Sequence, residues 1–540
     1  MTQELTADCT TLSAVPGTSR LFQDYCAGAG SARGFYASGP PDADPLARPQ
    51  LPSHWAELVP LVAAQNSAPA AGKAIEALAA GAGVAVTGQQ VGLFGGPLFT
   101  PFKAATALAL ARRASAAGRP HVAVFWLAGE DHDFAEIGQV TLPSGKELRK
   151  LVYKPGPEIS PGQPVGGILL DDSIQALVDQ AWDIVGPSDA TDALAEAYKP
   201  GRTFAEAFAD FYQKVFAAQG LLILDAGSGD FHRLGAPVLR AALDRADELH
   251  AALLERNRAL EAAGYHAQVA VTPQSSLLFL IDQRTGARLA LKRTPPSPQE
   301  PKGLWQAGRQ SYSTADLTAI LDAQPERISP SALLRPVFQD YLLGSSAIIG
   351  GPAEIAYFAQ SAVLYERILG RQTPAFSRFS ATLVEPDVAE LLRRHGLPVE
   401  SIFGLDAQGL AQKLAARVMP VEGKRKLAAA GNALDAELTP LLEWMRTLDA
   451  GLGRSAETAA SKMRYQMNRL RRLAANFQLQ RETSLARHAE AICQAIYPEG
   501  ALQERVHGAA YYFARYGLEL AETLTGQAAQ ECPGHVAVWL

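Results

Sequence analysis

The chain has 540 residues, with 49 lysines and arginines against 55 aspartates and glutamates, a formal net charge of −6. That balance excludes a nucleic-acid binder driven by overall charge, and a composition 48% hydrophobic and 19% charged describes a folded protein too long for one core, so two or three lobes are expected. Cys9, Cys26, Cys493 and Cys532 form no C-x-x-C pair, which argues against a zinc knuckle or a disulfide framework and for a reducing, cytoplasmic setting. No basic stretch leading into an apolar one opens the sequence, and no apolar run approaches 18 residues, so neither export nor a membrane span is predicted.

In chain order, the first eighty residues mix short helical patterns with turns such as Gly39-Pro40-Pro41, an N-terminal apron on a later core. Val84–Val86 predicts a strand, followed by a glycine-rich loop and a helix from about Pro101 to Ala117. His121–Leu127 (HVAVFWL) is unbroken apolar, the pattern of a strand buried on both faces of a parallel sheet. Residues 140–170 read as hairpins around Ser144-Gly145. A helix from about Thr203 to Gln219 leads into a third strand, Leu221–Leu224, and another helix follows Gly227-Ser228-Gly229. Residues 268–294 predict a hairpin about Thr285-Gly286, beside a Pro-rich loop Thr294–Lys302. Strands alternating with helices, each strand closing on a glycine loop, predict a doubly wound α/β sheet with inserted hairpin and helical segments.

Further on, Leu427, Leu434, Leu438, Leu441, Met445, Leu448 and Leu452 recur at sevens, fours and threes, and Met463, Met467, Leu470, Ala474 and Phe477 continue the rhythm on a basic helix. This a/d seam predicts a coiled-coil arm, with two amphipathic helices packed on the core as the alternative; Gly451 and Gly453 are candidate interruptions. The expected division is a core at 1–384, a helical arm at 385–495 and a C-terminal segment at 496–540 that returns to the core.

Thr87–Lys103 (TGQQVGLFGGPLFTPFK) carries the main site signal. Its glycines, Gly88, Gly92, Gly95 and Gly96, permit close backbone approach. With Thr87, Gln89, Gln90, the amides of the next helix and the point charge of Lys103, they predict an anion pocket, although neither a Walker A nor a G-x-G-x-x-G spacing is present. Glu130, Asp131, His132 and Asp133 follow a buried strand, the edge where open α/β sheets bind ligands. Such a cluster suits Mg²⁺, general-base work or a substrate amine. Asp225 and Gly227 form a further strand-end loop, and a buried run ending in Gly350 and Gly351 repeats the strand–glycine–helix theme. Arg335, Asp340 and Glu354 are candidates to line the cleft or to serve as capping or interlobe ion pairs, and Gln503, Glu504 and Arg505 sit in a polar turn. No G-x-S-x-G elbow or Cys/His pair supports a nucleophilic hydrolase.

In the blocks VTGQQVGLFGGPLFTPFKA, VFWLAGEDHDF, LRPVFQDYLLGSSAIIGGPAEIAYFAQ and YPEGALQERV, the chain resembles the BshC family of bacillithiol biosynthesis over most of its length. The resemblance implies a Rossmann-type core with connecting insertions, an α-helical coiled coil that forms a homodimer, and an activity joining L-cysteine to glucosaminyl-malate. The family core is similar to that of class I aminoacyl-tRNA synthetases, whose HIGH and KMSKS motifs are absent here. Amide formation from a free carboxylate still requires activation, for which ATP is the simplest agent. On this reading Asp131, His132 and Asp133 orient or deprotonate the sugar amine and Glu130 anchors the loop. Competing readings are a nucleotidyltransferase using the same cleft and a non-catalytic scaffold that recruits the ligase.

Overall fold

The computed structural model describes residues 7–37, 46, 51–145, 147–156, 160–294, 304–530 and 532–540. The Gly39-Pro40-Pro41 turn and all of the Thr294–Lys302 loop except Thr294 lie outside them. Two compact units are formed: one holds Ala7–Thr382 and Glu504–Ala537, the other Leu383–Gln503 and Val538–Leu540.

The first unit is built on five parallel strands, β1 (Gly83–Gln89), β2 (His121–Leu127), β3 (Leu222–Asp225), β4 (Ala347–Gly350) and β5 (Ala375–Ser377), in spatial order β5-β4-β1-β2-β3. Every residue of β2 is buried, as an apolar run without alternation requires of a strand covered on both faces. Its neighbours hold it in register through Val84↔Val122 and Val124↔Leu222. From β1 the chain moves outward through β2 to β3, then returns to the other side of β1 for β4 and β5. The reversal places a topological switch point at the carboxyl ends of β1 and β4, where doubly wound sheets leave a crevice.

Four helices frame that crevice or its flank: α1 (Phe99–Ala116), α2 (Gly229–Asp244), α3 (Arg335–Leu343) and α4 (Pro352–Leu369). In α1, 13 of 18 residues are buried, which explains its alanine-rich sequence: small side chains let the helix seat on the sheet while covered from outside. The helix expected over 203–219 is Phe204–Val215, closed at its start by reciprocal bonds between Thr203 and Glu206. One predicted hairpin joins Gln139–Ser144 to Glu147–Val152. Beyond Val152 the described residues up to 170 hold a short 3-10 turn, Val165–Gly167, and a lone antiparallel bridge from Leu169 to Thr203, so the expectation of further hairpins there is corrected. The other hairpin pairs Leu278–Ile281 with Arg288–Ala290; the Asp282 carboxylate accepts from the Thr285 amide and fixes the turn.

The second unit is helical. Its arm is an antiparallel pair, α5 (Val421–Leu448) and α6 (Ala450–Arg481), broken at Asp449, whose carboxylate caps α6 by accepting from the Gly451 and Leu452 amides. Arg464–Asp435 and Arg446–Glu457 ion pairs fix the register. The buried seam is Leu434, Leu438 and Leu442 against Ala456 and Ala460, which corrects the expected a/d set. Leu441, Leu448, Leu452, Met463, Leu470 and Phe477 are exposed instead. The reason is steric: small residues on α6, including Gly453 against Arg446, allow close approach along a stripe rotated away from the larger side chains.

The cysteine reading is also corrected. Cys9 and Cys532, 523 residues apart, form a disulfide. Spacing along the chain carries no information about a bond made by bringing the two ends of one unit together.

Candidate active site

A cavity of about 290 Å³ opens at the switch point. Gly88, Gln89 and Gln90 from the end of β1, Asp131 after β2, Arg335 and Gln339 of α3, Gly351, Glu354 and Tyr357 around the start of α4, Arg378 after β5, and Arg505 all line it. At Gly88 an added Cβ would stand 3.2 Å from the Trp126 carbonyl oxygen and 3.4 Å from Gln339 Nε2, so a side chain there would crowd both the sheet and the cavity wall.

Lys103 is buried and fully engaged. Its ammonium donates to the Gly88 carbonyl (2.8 Å) and to Gln89 Oε1 (2.7 Å), and pairs with Glu354. Burial lowers its pKa, and the Glu354 charge only partly opposes this. Glu354 also accepts from the Gly351 amide (2.8 Å), so one carboxylate ties the start of α4 to the base of β1. Thr87 is buried, its hydroxyl donating to the Ile349 carbonyl and tying β1 to β4.

Gly92, Gly95 and Gly96 lie outside the cavity lining, contrary to the anion-pocket expectation. The Gly95 amide donates to the Tyr198 hydroxyl, which donates to the Gly92 carbonyl, and the Tyr212 hydroxyl donates to the Gly95 carbonyl. Gly95 has φ +82°, and a Cβ there would press on the Phe211 ring at 2.8 Å. The turn's polar groups are spent on two buried tyrosines, which leaves the β1 end and the α3 and α4 starts to face the cavity.

The acidic cluster diverges. Glu130 pairs with the fully buried His232 at 2.8 Å; burial alone would raise the carboxyl pKa, but His232 and nearby Arg288 and Arg335 hold it below its ordinary value. Asp131 faces the cavity and accepts from Gln90 Nε2 at 2.6 Å; that bond and others outweigh burial and keep its pKa low. His132 is exposed beside Phe279. Asp133 caps the short helix Phe134–Ile137 by accepting from the Glu136 amide. Joint action by Asp131, His132 and Asp133 is therefore corrected to one inward carboxylate, because the chain turns into a helix within three residues. Among the described residues no three His, Cys, Asp or Glu side chains are grouped as a protein-only metal site.

Asp225 and Gly227 form their own turn, Asp225 Oδ1 accepting from the Gly227 amide at 3.0 Å, and neither lines the cavity. Gly350 lies behind the wall, where a Cβ would meet the Phe358 ring at 2.7 Å. Gln503 belongs to the other unit, clamping Leu383 and Ala495 through their backbones.

Arg378 was missed by sequence reasoning, and its partner Glu504 was legible only as part of a polar turn. The buried pair is bidentate, at 2.9 and 2.6 Å. Arg378 directly follows β5, so the strand-end rule could have found it, but a three-residue strand has too little periodicity to read. Lys103 and Arg378 thus carry their own counter-ions, whereas Arg335 and Arg505 make no ion pair among the described residues. The cavity combines these two arginines, Arg335 favoured in its charged form, despite burial, by the nearby Tyr357, Asp131 and Glu354, with the Asp131–Gln90–Glu136 wall, an arrangement suited to a ligand bearing both a carboxylate or phosphate and an amine.

Residues 6–376 match the model of the bacillithiol biosynthesis BshC N-terminal Rossmann-like domain, and residues 381–538 that of the BshC C-terminal coiled-coil domain. The chain is 41% identical over 537 residues to a Koribacter versatilis protein named "Putative cysteine ligase BshC", with 98% of each chain covered. Proteins of the same name from Solibacter usitatus and Salinibacter ruber are 34% identical over 98% of each chain and 33% identical over 84% of this chain and 82% of theirs.

Proposed function

For this chain, which belongs to the BshC family of bacillithiol biosynthesis, we propose the activity of a cysteine ligase that joins the carboxyl group of L-cysteine to the amino group of glucosaminyl-malate. The observation that carries the reading is the cavity at the switch point, where Arg335 and Arg505 make no direct ion pair among the described residues while Asp131 turns inward. The arginines hold the substrate's carboxylates. Asp131, steadied by Gln90, accepts a hydrogen bond from the sugar amine and takes its proton as the C–N bond forms. The carboxylate oxygen lost in that step leaves on a phosphoryl or nucleotidyl group donated beforehand by an activating agent, for which ATP is proposed, the remainder of the nucleotide (ADP or pyrophosphate) being released at that transfer. Arg335 and Arg505 suit the phosphates of ATP as well as carboxylates, by charge and by fork geometry. The second unit's arm is proposed to pair two copies.

The test incubates the purified full chain with L-cysteine, ATP and glucosaminyl-malate and follows the thiol product by mass spectrometry. The product is expected, and Arg335→Ala is expected to raise the KM for glucosaminyl-malate about 10- to 100-fold, the loss of one charged hydrogen-bond donor. Absence of the product, with all three substrates unchanged, overturns the ligase reading.

A further inference from the structure

We propose that Glu504 is a positioning residue of this site, which neutralises Arg378 and aims its remaining N–H groups at the substrate as directional donors. The inference rests on the reading that the cavity takes a carboxylate-bearing substrate. Glu504 is saturated: it accepts from Arg378 Nη1 and Nη2, from the Ser380 hydroxyl at 3.0 Å and from the Ala381 amide at 3.1 Å. Arg378 Nη1 also donates to the Phe379 carbonyl, at 2.8 Å. Nε–H and one Nη2 hydrogen then remain without an acceptor among the described residues, on a side chain that lines the cavity. His535 bridges the Ser380 and Thr382 hydroxyls, each at 2.8 Å, so the Ser380 hydroxyl that donates to the carboxylate is itself held in place.

Stability alone does not account for such a pair, since desolvating two ions costs about as much as their attraction returns. Position does. An arginine with its charge cancelled binds a ground-state anion weakly, yet still offers hydrogen bonds to an oxygen on which charge develops, the arrangement that favours turnover over tight binding. A Cβ at Gly351 would lie 3.2 Å from Arg378 Nε, so the wall opposite is bare where the donor emerges.

Titration of the full chain with L-malate, alongside steady-state amide formation, tests the proposal. Glu504→Gln is expected to tighten malate binding about tenfold, because a positive charge is released in a poorly screened site. Turnover is expected to fall about 10²-fold, as when one oxyanion donor is lost. A purely structural role for Glu504 predicts no tightening. The double variant Arg378→Gln/Glu504→Gln restores neutrality and is expected to return malate affinity to the wild-type level while turnover stays low. Gly351→Ala, which crowds Nε without touching Glu504, is expected to slow turnover with no gain in affinity. If Glu504→Gln folds and leaves both constants unchanged while the wild type makes the amide, the inference fails and the ligase reading stands. If the wild type makes no amide but binds malate more tightly once Glu504 is neutral, the ligase reading fails and the placement stands. Should Glu504→Gln not fold, unchanged turnover in both other variants overturns the inference.

Discussion

At the scale of single residues, burial decides what each polar group does. Lys103 and Glu130 carry the charges expected of site residues, but each is matched by a partner that only the fold supplies, Glu354 and His232. His132 and Asp133 sit one and two positions beyond Asp131 yet point elsewhere, because a helix starts at Phe134. His535 gives a prediction at this scale. Burial pushes its pKa down to about 4, so the folded protein resists a proton that the unfolded chain accepts at about 6.5. Its contribution to stability is therefore intact above about pH 6.5 and lost as pH falls toward 4, a decrease of about 3 kcal/mol. Chemical denaturation across that range checks this. His535→Gln should flatten the slope, and a variant as acid-sensitive as the wild type would show that other groups set it.

At the scale of elements, the strand–glycine–helix repeats were legible because β1, β2 and the helices after them follow local patterns. The arm was legible as helices, but its seam was not. Apolar spacing identifies a stripe, while close approach of α5 and α6 depends on small residues, and this rotates the larger side chains outward. Leu441, Trp444 and Leu448 on α5, with Met463, Leu470, Leu473 and Phe477 on α6, are left exposed, an unusual cost for a monomer in water. Trp444→Glu with Leu470→Glu is expected to convert a dimer to a folded monomer in sedimentation experiments. Leu438→Glu, placed in the seam, is expected to unfold the hairpin itself. A wild-type chain that sediments as a monomer would remove the case for pairing.

At the scale of the whole molecule, the Cys9–Cys532 bond closes a loop of 523 residues. Restricting so long a loop in the unfolded chain is worth up to about 6 kcal/mol in the entropic model. Reductant is accordingly expected to lower the melting temperature by roughly 5 °C. Cys9→Ser should melt with the reduced protein and ignore reductant; equal melting of oxidised and reduced wild type would mean the bond adds nothing to stability.

The sequence by itself determined the Rossmann-type core, the helical arm and the family, because strand and helix periodicity and the order of motif blocks are properties of neighbouring residues. It also marked Gly88–Gln90, Asp131, Arg335, Gly351, Glu354 and Arg505, all of which the fold brings to one cavity. Only the tertiary structure decided which glycines face that cavity and which wrap tyrosines. It alone joined Arg378 to Glu504, 126 positions away, and Cys9 to Cys532. Those outcomes depend on contacts between distant segments, set by packing and desolvation, to which no local pattern in the chain responds.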